Sequence, residues 1–232
     1  MTELRLAFCG FAAALLAVRR WHYSGSMPAS RRVCIGCWED GRFIGAIVFS
    51  RGDTPNIARP FGLTTQAQVC ELTRVALREH VTPTSRILAI AVRMLRRQSP
   101  GLRLIISYAD PAHQHVGTLY QAAGWSYLGT TNRECLLRVH GRLSHPRSVG
   151  SRFNHRGVEW LRAHVDPKAE RIVLPAKFKY ALPLDQDIAA QIRQLRRPYP
   201  KRPKAAGSCP IPAGLDGAIP IRPLHHDEVA HV

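Results

Sequence analysis

Residues 69–108 read VCELTRVALREHVTPTSRILAIAVRMLRRQSPGLRLIISY, and this stretch decides the fold class. Val69–Leu77 alternates apolar and polar side chains, the period of a strand with one buried face. On that period Glu71 and Thr73 share one face, while Leu72, Arg74 and Ala76 share the other. Thr82-Pro83-Thr84-Ser85 then supplies helix-start chemistry, hydroxyl residues with Pro in the first turn. Ile87, Ile90, Ala91, Met94 and Leu95 follow at helical spacing, and Ser99-Pro100-Gly101 stops the helix. Leu102–Tyr108 is a buried β run ended by Ala109-Asp110-Pro111. Strand, helix and strand in that order place the chain in the α/β class.

Upstream, Val33–Trp38 and Phe43–Phe49 are short apolar runs joined by Glu39-Asp40-Gly41-Arg42. Asp-Gly between such runs predicts a hairpin. Leu4–Val18 reads as a buried helix. Its Arg19-Arg20 pair follows the apolar run, whereas a signal peptide carries its charge ahead of it. Residues 50–66, with Gly52, Pro55, Asn56, Pro60 and Gly62, form a long irregular loop of the kind that carries function. Downstream, His113–Ala123 reads as a helix closed by Gly124, and Trp125–Gly129 and Glu134–Val139 read as strands. Gly141–Arg156 is a basic loop, followed by a short helix (Gly157–His164), a strand (Arg171–Leu182) and a last helix (Asp185–Leu195). Residues 1–185 are thus expected to form one mixed central sheet flanked by helices, with a basic insertion at 141–170 before the last strand. Residues 186–232 add the helix and a tail. That tail holds seven of the 17 prolines and the run Arg-Arg-Pro-Tyr-Pro-Lys-Arg-Pro-Lys, and is expected to be a disordered, solvated arm.

The 232 residues carry 33 Lys and Arg against 16 Asp and Glu, a formal charge of +17. With 45% hydrophobic residues a core can be buried, so this is a folded domain whose charge calls for a polyanionic partner. No stretch approaches the roughly 18–20 apolar residues of a membrane span. Six cysteines in this length make no dense disulfide framework, and Cys34-x-x-Cys37 lacks the second pair of a zinc site. Packing of free thiols is the expectation.

Three places carry chemistry-bearing side chains. Arg20-Trp21-His22-Tyr23-Ser24 offers groups that donate, accept and stack, or a helix end whose His is satisfied locally. Arg74, on an apolar strand, needs a carboxylate or a ligand anion, and a structural Arg–Glu pair is the plain alternative. Asp110 lies at the carboxyl end of a strand, where ligands bind in open α/β sheets. Beyond it stand His113, His115 and Tyr120; two histidines two residues apart on a helix diverge, which argues against a shared metal ion.

Leu119-Tyr120-Gln121-Ala122-Ala123-Gly124-Trp125, a helix ending in Tyr-x-x-x-Gly-aromatic before a strand, resembles the end of a GNAT-type acyltransferase domain. The preceding order of elements matches that fold too. The resemblance implies acyl-coenzyme A between strands Val69–Leu77 and Leu102–Tyr108. Its pyrophosphate would meet the start of the intervening helix at Thr84, Ser85 and Arg86. It also implies Tyr120 as the acid for the leaving thiolate. The Gln/Arg-x-x-Gly-x-Gly/Ala loop usual in that superfamily is absent.

A closer resemblance runs over residues 20 to about 185. It is carried by Arg20-Trp21-His22-Tyr23-Ser24, Asn56-x-x-Arg59-Pro60-Phe61-Gly62, Cys70-Glu71-Leu72-Thr73-Arg74-Val75-Ala76, Ser107-Tyr108-Ala109-Asp110-Pro111, Tyr120-Gln121-Ala122 and Lys177-Phe178-Lys179-Tyr180. Together these strings resemble the phage Mom family, which converts adenine in DNA to N6-carbamoylmethyladenine and so shields phage DNA from restriction. The resemblance implies an active site of His22, Tyr23, Arg74, Asp110 and Tyr120, acetyl-coenzyme A as acyl source, an iron ion with no ligands assigned, and action on double-stranded DNA in the host cytoplasm. Arg142, Arg147, Arg152, Arg156, Lys177 and Lys179 are the expected DNA contacts. Two other functions fit the same residues: a GNAT-type N-acetyltransferase of RNA or protein amines, and a non-catalytic DNA-binding protein on a decayed core.

Overall fold

A computed structural model describes residues 2–52 and 57–201. Asn56 and the tail beyond Lys201 lie outside the described residues, so the family string at Asn56 and the expected disordered arm are left there. The chain divides into two compact units. The described part of the larger comprises residues 2–52, 57–134 and 173–201, that of the smaller Cys135–Ile172.

In the larger unit the elements are β1 (Leu4–Phe8), α1 (Phe11–Trp21), β2 (Arg32–Glu39), β3 (Arg42–Ser50), β4 (Val69–Leu77), α2 (Thr84–Gln98), β5 (Leu104–Ala109), α3 (Thr118–Ala122) and β6 (Ser126–Thr130). After the smaller unit come β10 (Phe178–Pro183) and α6 (Gln186–Leu195). The seven-stranded sheet runs β1-β2-β3-β4-β5-β10-β6. Of its pairings only β4 with β5 is parallel. This is the expected mixed sheet flanked by helices.

Alternation assigns the two faces. Ile35, Ile47, Phe49, Leu72, Ile105 and Tyr180 pack with Ile87, Leu88, Ala91 and Leu95 of α2. On the opposite face Cys34, Ala46, Val48 and Ala76 meet Ala14, Ala17 and Val18 of α1. Val69, Leu104, Ile106 and Ala181 on that face pack against Ile188 and Ile192 of α6. Cys34 and Cys37 therefore belong to opposite faces, and the five described cysteines are all free thiols.

Four local expectations change. The stretch read as one helix from Leu4 is the edge strand β1 followed by α1, with Gly10 as the break in extended backbone. A segment of five residues is too short for periodicity to separate strand from helix, and pairing with β2 decides it. In β4, Val48 pairs with Arg74 and Phe49 with Leu72, so Thr73 is an extra, bulged residue whose Oγ1 donates to Val48 O at 3.0 Å. The bulge shifts the alternation by one. Leu72 and Val75 join the α2 face, and Arg74 moves to the face of Val69, Glu71 and Ala76.

The predicted helix from His113 is a single 3-10 turn (Pro111–His113), an irregular segment, and then α3. Gly117 has φ +80, and a Cβ there would stand 2.2 Å from Tyr180 Cε2. Tyr180 Oη donates to Val116 O at 2.5 Å, so the segment lies over the Tyr180 ring and cannot continue as helix. The strand expected over Arg171–Leu182 is two strands, β9 (Glu170–Val173) and β10. The start of the segment read as a solvated arm is also held: Arg197 N–H donates to Tyr127 O and Tyr199 Oη to Trp125 O.

The smaller unit contains β7 (Cys135–Val139), β8 (Arg142–Ser144), α4 (Pro146–Phe153), α5 (Val158–His164) and β9 in a three-stranded sheet ordered β8-β7-β9. Leu137, Val139, Val149, Leu161 and Ala169 form its own core. What the sequence presents as a basic loop from Gly141 to Arg156 is therefore a strand and a helix, with Val149 as the buried anchor of α4.

Candidate active site

β4 and β5 are hydrogen-bonded only from Val69↔Leu104 to Glu71↔Ile106. Past that point β4 stays with β3 to Leu77, and β5 stays with β10 to Ala109. The bulge at Thr73 sits where the two strands part, which is where a bulge bends and twists a strand. A cleft of about 910 Å³ opens at this fork. His22, Tyr23, Asp110 and Tyr120 line it, together with Thr73, Val75, Thr84 and Ser85.

His22 follows α1 and is turned by a local loop. Its Nδ1 accepts the Ser24 backbone N–H at 3.1 Å, with Ser24 Oγ at 2.9 Å. The ring proton is therefore on Nε2. Burial, with the Arg74 charge adding to it, pulls the imidazole down to about 3, so His22 is neutral at physiological pH. Tyr23 stacks on it at 4.4 Å between centroids, and His113 lies against Tyr23 at 4.0 Å. His115 reaches the same ring at 5.4 Å. The irregular turn after Pro111 thus brings both histidines to one ring, against the divergence expected of a helix. Tyr23 keeps about half of its surface exposed (51%), so a base entering here meets the phenol and the imidazoles beside it. Burial and the Asp110 carboxylate raise the Tyr23 hydroxyl above its usual range, partly offset by Arg74.

Arg74 does not line the cleft; its charge acts on His22 and Tyr23, which do. Its Nε donates to Ser26 O at 2.9 Å and Nη1 to Thr73 O at 2.8 Å. Asp110 caps the 3-10 turn, Oδ1 accepting Ala112 N–H at 2.9 Å while its carbonyl takes His113 N–H and His115 N–H. Tyr120, from α3, is pushed up to about 12 by burial and lies 2.7 Å from Ser107 Oγ. Its ring sits 5.3 Å from Trp125 and 5.1 Å from Tyr180.

Four of the five expected active-site residues, His22, Tyr23, Asp110 and Tyr120, thus line one cleft, and Arg74 acts on two of them through its charge. At the start of α2 the first helical bonds run from Arg86 N–H and Ile87 N–H to Pro83 O, which leaves the amides of Thr84 and Ser85 ahead of the hydrogen-bonded turns. Both side chains line the cleft; Arg86 is exposed and does not. Ser107 is the residue that sequence reasoning passed over. Its signal is a lone hydroxyl inside the apolar run LRLIISY.

The expected DNA contacts separate. Arg142, Arg147, Arg152 and Arg156 are exposed on the smaller unit. Lys177 pairs with Glu134 at 3.2 Å, and Lys179 is half-buried over the Phe61 ring at 4.9 Å, its ammonium lowered by desolvation. Among the described residues no group of three or more His, Cys, Asp or Glu is arranged to hold a metal ion. No described helix is long and apolar enough to cross a membrane.

The model of the Mom protein family matches residues 3–201. The chain belongs to the Mom family. Within it, the methylcarbamoylase mom of Escherichia phage Mu is 24% identical over 167 residues, which is 70% of this chain and 68% of that protein. The family match spans both compact units, so the smaller unit belongs to the matched Mom sequence and is no foreign appendage. Distant likenesses exist among solved structures. A Bacillus subtilis acetyltransferase in complex with CoA shares 14% identity at a TM-score of 0.41, covering 79% of this chain and 100% of that one. The polyamine N-acetyltransferase of Drosophila melanogaster shares 9% at 0.44, covering 78% and 100%.

Proposed function

We propose that this Mom-family chain is an enzyme that converts adenine in double-stranded DNA to N6-carbamoylmethyladenine, protecting phage DNA from restriction inside the bacterial host. The observation that carries the reading is that His22, Tyr23, Asp110 and Tyr120 line one cleft at the strand fork, with the Arg74 charge acting on His22 and Tyr23, in a chain that belongs to that family.

The target amine is the chemical difficulty, because the N6 lone pair is delocalised into the purine. Reaction inside a duplex also requires the base to be extruded into a pocket and held on its edge and faces. The His22–Tyr23–His113 stack offers a polar and aromatic wall for that base, with His22 Nε2–H as donor. Asp110 accepts the proton that N6 loses as its bond to carbon forms. Arg74, fixed on two backbone carbonyls, places a positive charge beside His22 and Tyr23 that would favour a developing negative charge on an acyl oxygen.

Acetyl-coenzyme A, bound in the fork, would supply the two-carbon unit: its thiol would leave the thioester carbon as an ammonia-level nitrogen takes that place to make the amide. Joining the methyl carbon to N6 would release one hydrogen from each, with two electrons passing to an oxidant that acts as a further co-substrate. Thr84 and Ser85 fit its pyrophosphate, because the amides at a helix start and the dipole behind them favour an anion. Tyr120 stays protonated throughout the physiological range and is placed to hold or give a proton at the sulfur. DNA is held by the exposed Arg142, Arg147, Arg152 and Arg156, where phosphate contact is independent of sequence.

The test is nucleoside mass spectrometry on DNA from cells that express the chain. Deoxyadenosine carrying a carbamoylmethyl group on N6 is the expected result. Only unmodified deoxyadenosine, with the protein folded, overturns it.

A further inference from the structure

The first carbonyl past the fork is that of Leu72, where β4 has parted from β5. Ser107 supplies its partner: Ser107 Oγ donates to Leu72 O at 2.7 Å and lies equally close to Tyr120 Oη. Ser107 has no exposed surface, so water does not compete for either bond. A carbonyl only accepts and a serine has one proton. While that proton is on Leu72, Tyr120 must donate its own to Ser107 and turn an acceptor lone pair toward the cleft. The opposite arrangement is equally connected. If Ser107 rotates its proton to Tyr120, the tyrosine proton is released into the cleft as a donor, and Leu72 O loses its partner.

We infer that Ser107 is a positioning residue whose hydroxyl sets whether Tyr120 presents an acceptor or a donor at the fork. This rests on the role given to Tyr120 above. In the resting state the bonds run from Tyr120 to Ser107 to Leu72 O. When the Tyr120 O–H bond breaks and the proton goes to a leaving thiolate, forming S–H, the phenolate left behind takes a hydrogen bond from Ser107. Leu72 O then waits until the phenol is reprotonated from solvent. An unsatisfied buried carbonyl is costly, so the donor state is reached only when a ligand acceptor stands in the cleft. The Ser107 bond also opposes the upward pull of burial on Tyr120.

A double-mutant cycle in cells tests this, with modified deoxyadenosine measured over time at matched protein levels. Ser107→Ala is expected to lower the modification rate about 10-fold or more in the wild-type background. In a Tyr120→Phe background it should lower the residual rate no further, and Ser107→Thr, which keeps the hydroxyl, should recover most of the loss. Equal cost in both backgrounds overturns the inference, because a purely structural serine acts regardless of Tyr120; so does an unchanged rate in Ser107→Ala. If Ser107→Ala fails to fold, Ser107→Thr and Ser107→Cys replace it, and equal rates for the two overturn the inference. A wild-type chain that leaves adenine unmodified overturns the proposed function, whereas additive losses from an active wild type overturn this inference alone.

Discussion

The two units of the chain use charge in opposite ways. In the larger one the charged and titratable groups near the fork are tied down. Arg74 is held by Ser26 O and Thr73 O, His22 is kept neutral by burial, and Asp110 caps a turn. Away from the fork, Arg103 pairs with Asp185 at 2.6 Å. The smaller unit spends few of its cations on structure: Arg138 pairs with Glu170 at 2.6 Å, and Arg162 donates to Ala169 O at 2.8 Å. It carries eight Lys and Arg against three Asp and Glu, and Arg142, Arg147, Arg152 and Arg156 are among its exposed side chains. Fixed groups in a half-buried fork suit chemistry, which depends on placement. Loose exposed cations suit a phosphate backbone, which asks only for charge.

That contrast breaks most visibly at the fork. Asp110→Ala and Tyr120→Phe should each reduce adenine modification by about 10²-fold or more while DNA affinity stays within twofold. Nucleoside mass spectrometry beside a filter-binding titration reads both quantities. A core change should behave differently. Leu88 is fully buried under the sheet, and Leu88→Ala should cost about 2–5 kcal/mol in urea unfolding, lowering activity only through the folded fraction.

Neutralising the smaller unit sharpens the comparison from the other side. Arg147→Gln, Arg152→Gln and Arg156→Gln together should flatten the slope of log affinity against log salt by about 2–3, since each lost phosphate contact removes about 0.9. Lys177→Gln and Lys179→Gln should leave that slope nearly unchanged, because both lysines are engaged within the larger unit.

A further effect is in pH. His22 has its folded value depressed, so the unfolded chain binds the extra proton. Its penalty is absent above about pH 6.5, grows as pH falls, and saturates below about 3. Between those limits it contributes at most about 1.4 kcal/mol of lost stability per pH unit. His22→Gln should make acid unfolding correspondingly shallower.

Much of this was legible in the residues. The strand–helix–strand order came from period and punctuation over residues 69–108, and the fork residues from ordered family strings. What was hidden depended on partners distant in sequence. One bulged residue, Thr73, moved Arg74 to the face of Glu71, and no local composition marks a bulge. The helix expected at His113 is interrupted because Tyr180, far along the chain, occupies the space beside Gly117. Lys179 was counted among solvent-facing cations, yet its ammonium lies over Phe61 from another family string. Ser107 looked like one more residue of a buried strand until Leu72 O and Tyr120 were seen on either side of it.

The most direct measurement follows labelled acetate into DNA. Cells expressing the wild-type chain or Asp110→Ala are grown on isotope-labelled acetate, and their nucleosides are analysed by mass spectrometry. The account predicts N6-carbamoylmethyl-deoxyadenosine carrying the label in wild-type DNA and none in the variant. Unmodified deoxyadenosine in both, or equal modification in both, would contradict it.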